Sequence, residues 1–300
     1  MVLVFGTVCL DRVMQVARLP EPGGYVPVES EAIYLGGEAA NTAFALKNWG
    51  VDLELVSNDL GMGADAELLQ RLLEEKGFSV PPKGGSRTPV CDIYVTPDGE
   101  RTMFGRGFST MEPALDLSSI PFQEGQLFTA EPNMSGVSRQ VTREAQRRGM
   151  LVYLMDFFRQ DDPLEGAFCQ CSTDWVGVRG DREANLRWVS EWVDKKGCFA
   201  ILTDSARGLF CGSPSMKVRH YEAFPAPVML DSTGAGDTFR AGMLYGLDHG
   251  WEIGRCLAFA SAAGALECGY LAVTTRTPSV AEIEAHIARN PKVGRQFLDQ

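Results

Sequence analysis

The sequence predicts an α/β fold in which helices cover both faces of a mostly parallel central sheet. Short apolar runs alternate with helical patterns from residue 127 onward, the chain opens on a continuous apolar run from Val2 to Leu10, and no repeat or low-complexity linker divides it. Two β-rich stretches, about 12–35 and 88–108, stand outside that alternation and can pair into a smaller sheet. Residues 1–300 therefore read as a single domain carrying an accessory sheet.

Composition narrows the partners. At 45% hydrophobic and 22% charged residues a sizeable core is assured. The balance of 28 basic against 39 acidic residues, net −11, disfavours a nucleic acid backbone or an anionic membrane as partner. A magnesium nucleotide is not disfavoured, because main-chain amides can do that binding. Among the eight cysteines the closest pair, Cys169 and Cys171, lacks the two-residue spacer of a redox or zinc pair, so buried thiols in a reducing compartment are expected. The three histidines show no ligand spacing. No basic segment precedes the first apolar run and no run of 18 apolar residues occurs, so a cytoplasmic location is expected.

Taken in order, Val2 to Leu10 reads as a central strand that opens at Asp11 toward a site. Pro20, Pro22, Gly23, Gly24 and Pro27 break the next stretch into short strands. Gly36-Gly37 then leads into an Ala-rich helix with Asn41 about one turn in and Gly50 placed to end it. Val51 to Ser57 is a strand, and Ala66 to Lys76 an amphipathic helix with Leu68, Leu69, Leu72 and Leu73 on its buried side. In the second accessory stretch Pro97-Asp98-Gly99 marks a turn. Strands are expected at 127–129, 151–155, 175–178 and 199–202, and helices at 140–148, 183–195, 253–268 and 280–288.

The chemistry concentrates in Asp231-Ser232-Thr233-Gly234-Ala235-Gly236-Asp237-Thr238-Phe239. An apolar run ends at Leu230, three small residues follow, and a helical pattern then carries Phe239, Met243 and Leu247. Amides at a helix N-terminus lack intrahelical partners and carry the positive end of the dipole, so small side chains leave an open anion seat. Asp237 places a carboxylate beside it, suited to taking a proton from a hydroxyl that attacks phosphorus. Neither a P-loop nor a dinucleotide-binding glycine fingerprint is present. The pattern points to phosphoryl transfer.

This stretch resembles the second signature of the ribokinase-like, or PfkB, carbohydrate kinases, and Gly36-Gly37-x-x-x-Asn41 resembles the first. The resemblance spans nearly the whole chain and implies a three-layer sandwich with a β lid formed by 12–35 and 88–108, whose exposed face often serves a homodimer contact. It implies an ATP- and Mg²⁺-dependent sugar kinase. Asp237 would be the general base, the Gly234, Ala235 and Gly236 amides the anion hole, and Asp11, Gly36, Gly37 and Asn41 the sugar-binding residues.

Other motifs map less closely. Ser57-Asn58-Asp59-Leu60-Gly61-Met62-Gly63 keeps the acid of a Gly-x-Asp-x-x-Gly loop. Gly180-Asp181-Arg182-Glu183 stands for Asn-x-x-Glu, with Glu183 reaching the metal through water. Thr203-Asp204-Ser205-Ala206-Arg207-Gly208 stands for the nucleotide-phosphate motif Thr-x-Gly-x-x-Gly, giving Thr203, Ser205 and Gly208 as nucleotide contacts. Relatives often bind K⁺ near the equivalent of Asp231 and the loop after Gly269. Arg106, in a segment like that of fructokinases and 2-keto-3-deoxygluconate kinases, is expected to face the substrate and favours a keto-sugar or sugar acid. The alternatives are a nucleoside kinase with the same machinery, and a weakly active or non-catalytic sugar-binding relative, encouraged by Gly180 and Ser205.

Overall fold

The computed structural model describes residues 1–298 other than 82 and 86, and at 135 the backbone alone. Its organising element is β1 (Val2–Gly6), buried at every position. Strand alternation sends Val2 and Val4 into one apolar cluster and Leu3 and Phe5 into a second, so the sheet has a core on each face. The run expected as one strand is in fact two. The chain leaves the main sheet at Thr7-Val8, and β2 (Cys9–Val16) pairs antiparallel with β3 (Val28–Gly36) in a separate sheet.

Then follow α1 (Glu38–Asn48), β4 (Leu53–Ser57), α2 (Ala64–Glu75) and the antiparallel pair β5 (Val90–Val95) and β6 (Arg101–Arg106). The strand-helix alternation resumes with β7 (Leu127–Ala130), α3 (Ser135–Arg147), β8 (Leu151–Met155), β9 (Phe168–Ser172), α4 (Arg182–Lys196) and β10 (Phe199–Thr203). A hairpin, β11 (Leu209–Ser213) and β12 (Met216–Tyr221), precedes α5 (Ala235–Asp248), α6 (Ile253–Glu267), α7 (Val280–Arg289) and α8 (Pro291–Arg295).

Among the described residues the main sheet has eight strands in the order β12-β11-β10-β9-β8-β7-β1-β4. It is parallel from β4 to β10, with the β11–β12 hairpin antiparallel at its edge. The second sheet runs β3-β2-β5-β6. Residues of α1, α5 and α6 fill one face of the main sheet and those of α3 and α4 the other. The expected strand at 175–178 is a turn, and Trp175 and Val178 lie at the surface. The strand there is β9, disguised in sequence by the polar Gln170 and Ser172. No described helix is long and apolar enough to cross a membrane.

Helix α5 owes its placement to small residues. A Cβ on Gly242 would lie 2.6 Å from Ala260 Cα and one on Gly246 2.6 Å from Cys256 Sγ, so α5 and α6 approach at backbone contact. That brings the start of α5 to the C-terminal ends of β8 and β9, the edge where open α/β sheets bind ligands.

Candidate active site

The first turn of α5 begins at Gly234, which caps it in the left-handed region at φ 76°. A Cβ there would lie 1.9 Å from Val273 Cγ2, so both conformation and space demand glycine. Among the described residues the amides of Gly234, Gly236 and Asp237 have no hydrogen bond within the protein, whereas that of Ala235 donates weakly to the Ser232 carbonyl at 3.4 Å. Asp231 fixes the approach: its two oxygens accept from the amides of Thr233 (2.8 Å) and Ala272 (3.2 Å), tying this loop to the one after Gly269.

Asp237 is almost wholly buried. Its Oδ2 accepts from Asn41 Nδ2 at 2.8 Å, while Oδ1 has no hydrogen bond and faces Arg240 at 3.5 Å. Burial pushes its pKa up to about 6, with Arg240 and the Asn41 bond restraining the rise. Arg240, fully buried one turn along α5, donates from Nε to Thr42 Oγ1 at 2.8 Å and from a second nitrogen to the Glu38 carbonyl. It is the counter-charge to Glu38, Glu131, Asp156 and Asp237 together. Burial drives all four carboxyls upward, Asp156 to about 7. Glu131 is tied to the amides of Thr7 and Asn133, but Glu38 Oε2 and Asp156 Oδ1 are buried without a partner. The sequence reading missed Glu38, Glu131, Asp156 and Arg240 as site residues, although Asp156 at a strand end had the same signal as Asp11.

The first signature packs beneath this cluster. Asp11 projects from β2 into the space left by Gly36: a Cβ on Gly36 would lie 2.0 Å from the Asp11 carboxyl carbon. Burial pushes Asp11 up to about 7, against the pull of a 3.2 Å bond from the Cys9 thiol and with the charges of Asp237 and Asp231 adding. Gly37, at φ 99°, caps α1, and a Cβ there would strike the Thr7 carbonyl at 2.3 Å. The glycine pair thus makes room for protein atoms, and Asn41 is delivered to Asp237.

Strand alternation corrects one expectation. Cys91, Ile93 and Val95 of β5 register with Gly105, Met103 and Arg101 of β6, and Ile93 and Val95 pack with Val13 on the face that Asp11 shares. Arg101 lies on that face and donates to Ser232 Oγ at 2.5 Å, beside the α5 turn. Arg106 lies on the opposite face, held to both oxygens of Asp92 at 3.1 Å. The guanidinium over the site is therefore Arg101 and not Arg106, because five positions separate them and an odd offset along a strand reverses the face.

Residues 173–279 match the pfkB family of carbohydrate kinases. A sugar kinase of Dictyostelium discoideum is 28% identical across 98% of this chain and 99% of its own. The Escherichia coli sugar kinase YegV is 30% identical across 90% of this chain and 88% of its own. The chain belongs to the PfkB carbohydrate kinase family. Its fold is also that of a ribokinase from Arabidopsis thaliana, whose structure is described with ribose and ATP: the TM-score is 0.73 at 17% identity, covering 95% of this chain and 98% of that one. This PfkB member is accordingly an enzyme, a kinase with an alcohol group as acceptor.

The other mapped motifs lie at the ends of β9 and β10. Thr203 ends β10 and donates to the Cys171 carbonyl at 3.3 Å. Ser205 is exposed and sits at φ 52°, a left-handed conformation that favours glycine. Gly208 packs where a Cβ would meet the Tyr221 carbonyl at 1.9 Å. Asp204 is buried, yet Arg207, Thr173 and the Gly180 amide hold its carboxyl below the usual range. Its negative charge is thus spent within the protein. Glu183 is not gathered into the site: its side chain is 88% exposed in the first turn of α4, with Arg187 at 3.8 Å. No described group of three His, Cys, Asp or Glu side chains is arranged to hold a metal ion.

Proposed function

We propose that this PfkB kinase transfers the γ-phosphoryl group of ATP to a hydroxyl of a sugar, keto-sugar or sugar acid, with Asp237 as general base. The observation that carries the reading is the pairing, within one helical turn, of an Asp237 oxygen that accepts no hydrogen bond, with Arg240 standing 3.5 Å off, and the unbonded amides of Gly234, Gly236 and Asp237. A free carboxylate lone pair is what a substrate hydroxyl needs for its proton, and unbonded amides are what a transferring phosphoryl group needs for its charge. Asn41 holds the second Asp237 oxygen and so fixes which one is presented. Arg101 adds positive charge on the opposite wall. Catalysis then rests on positioning and charge neutralisation.

Asp11, on the face of the small sheet that also carries Arg101, would hold sugar hydroxyls, and Thr203, Ser205 and Gly208 would border the nucleotide phosphates. Magnesium takes one or two carboxylates besides phosphate oxygens and water, and the unpartnered Glu38 Oε2 and Asp156 Oδ1 fit that need better than exposed Glu183. When bound, the ion neutralises phosphate charge. Asp231 has both oxygens on amides, so K⁺ in that loop pair would rest mainly on carbonyl oxygens. Two subunits would meet through the outer face of the small sheet, where Phe104 is exposed against Tyr94.

Aliphatic Val13, Ile93 and Val95 dominate the substrate face of that sheet, with Tyr34 at its edge, which favours a sugar over a stacked base. The test is ATP consumption, with Mg²⁺, across aldoses, ketoses, sugar acids and nucleosides. Turnover with a keto-sugar or sugar acid is expected. Exclusive turnover of nucleosides would replace the substrate reading, and ligand-induced thermal stabilisation without phosphate transfer would replace the kinase reading with a sugar-binding one.

A further inference from the structure

Strand β9 carries a polar side chain where an apolar one is expected. Cys169 and Cys171 point into one core cluster, and Gln170, 2% exposed, points to the other face, against Tyr153 and the start of α5. A buried carboxamide is tolerated only if its hydrogen bonds are met. Gln170 Nε2 donates to the Gly236 carbonyl at 3.0 Å, and Oε1 accepts from the Tyr153 hydroxyl at 2.8 Å. The orientation is self-consistent. A carbonyl can only accept, so the amide nitrogen must face Gly236, and the fully buried tyrosine must then be the donor to Oε1.

The position of this bond matters. Gly236 O belongs to the peptide group whose nitrogen is the Asp237 amide, one of the amides without a protein partner. Donation to a peptide oxygen draws electron density from its N–H and makes that N–H a stronger donor. We infer that Gln170, oriented by Tyr153, is a positioning residue for phosphoryl transfer: it anchors the Gly236–Asp237 peptide to the sheet and polarises the Asp237 amide toward the transferring group. The inference rests on the reading of the α5 turn given above.

The test uses the full-length protein and the best acceptor from the substrate screen. Gln170→Leu should lower the single-turnover rate of phosphoryl transfer about 10-fold while the KM for the sugar stays within about twofold, the scale of one lost hydrogen bond. Tyr153→Phe should cost about threefold. Because Gln170→Leu leaves the tyrosine hydroxyl unmet, the double variant Gln170→Leu/Tyr153→Phe is the fold-preserving control, with both partners apolar. It should keep the parent thermal midpoint and still be about 10-fold slow. The amide resonance of Asp237 should move upfield in both variants that lack Gln170, as the peptide loses its donor. A double variant that folds like the parent and transfers phosphate within twofold of its rate would overturn the inference. Asp237→Asn, run alongside, separates the causes. If it is inactive while the double variant is fast, only the role of Gln170 fails. If Asp237→Asn is itself fast, the reading of the whole turn fails, and this inference with it.

Discussion

Asn41 Nδ2 and Asp237 Oδ2 are joined at 2.8 Å across 196 positions of sequence, so the first and second signatures meet in one hydrogen bond. The bond is one of the influences holding Asp237 near 6 rather than higher. A general base works only when deprotonated, so kcat/KM should fall as pH drops below about 6. Removing the donor in Asn41→Leu leaves burial less opposed and raises the pKa. The acid limb of the pH profile should therefore shift upward, with a loss of roughly 10- to 100-fold at pH 7. A pH–rate series on both proteins checks this.

Arg240 is the shared counter-charge of Glu38, Glu131, Asp156 and Asp237 and is fully buried. Arg240→Gln leaves those carboxyls without it. Unfolding free energy at pH 7.5 should drop by roughly 3–5 kcal/mol, the scale of breaking a buried ion pair from one side. Loss of the guanidinium raises the folded-state pKa values further above their unfolded ones. Stability contributed below about pH 4 is then lost more steeply as pH rises, so part of the deficit should be recovered at pH 5.5. Denaturant titrations at the two pH values measure it.

Arg101 and Arg106 make a paired prediction. Arg101→Gln should reduce kcat/KM by roughly 100-fold, since it removes a positive charge beside the α5 turn. Arg106→Gln breaks only the half-exposed contact with Asp92 and should change kcat/KM by less than about twofold. Steady-state kinetics of the two variants decide between the faces of the sheet.

Glu267 on α6 is 1% exposed, and neither oxygen has a hydrogen bond of normal geometry, although the Thr238 hydroxyl stands beside it. Burial pushes its pKa up to about 9, with Asp231 and Asp237 adding. Raised this far above the unfolded value, the group stabilises fully below about pH 4 and loses that contribution progressively as pH climbs toward 9. Glu267→Gln, neutral at every pH, should be more stable than the parent at pH 8 by roughly 2 kcal/mol and show a flatter stability profile between pH 6 and 8. Thermal melts across that range test it.

How far the sequence could be read follows from which physical signals are local. The turn and helix from Asp231 onward were legible because small residues and an acid must be adjacent to make an amide seat, but the apolar run before them, expected as a strand, is irregular chain with Val228, Met229 and Leu230 exposed. The parallel sheet was legible from runs such as Leu127–Ala130 and Phe199–Thr203, whose two-sided burial demands continuous apolar residues. Strand β9 was not, because Gln170 is buried through hydrogen bonds rather than hydrophobicity. The choice between Arg101 and Arg106 needed the register of β5 against β6, which a turn motif does not specify. Glu38, Glu131, Asp156 and Arg240 assemble from different elements, so their meeting has no trace at any one point of the chain. Glu183 matched a spacing, but its place in the first turn of α4 turns it to solvent.

The claim that Asp237 deprotonates the acceptor hydroxyl is tested most directly by Asp237→Asn, with sugar binding measured by calorimetry and phosphoryl transfer by single turnover. The account predicts sugar affinity within about threefold of the parent and a transfer rate at least about 10³-fold lower, because the amide can still meet Asn41 but cannot accept the proton. A transfer rate within tenfold of the parent, with binding intact, would contradict it.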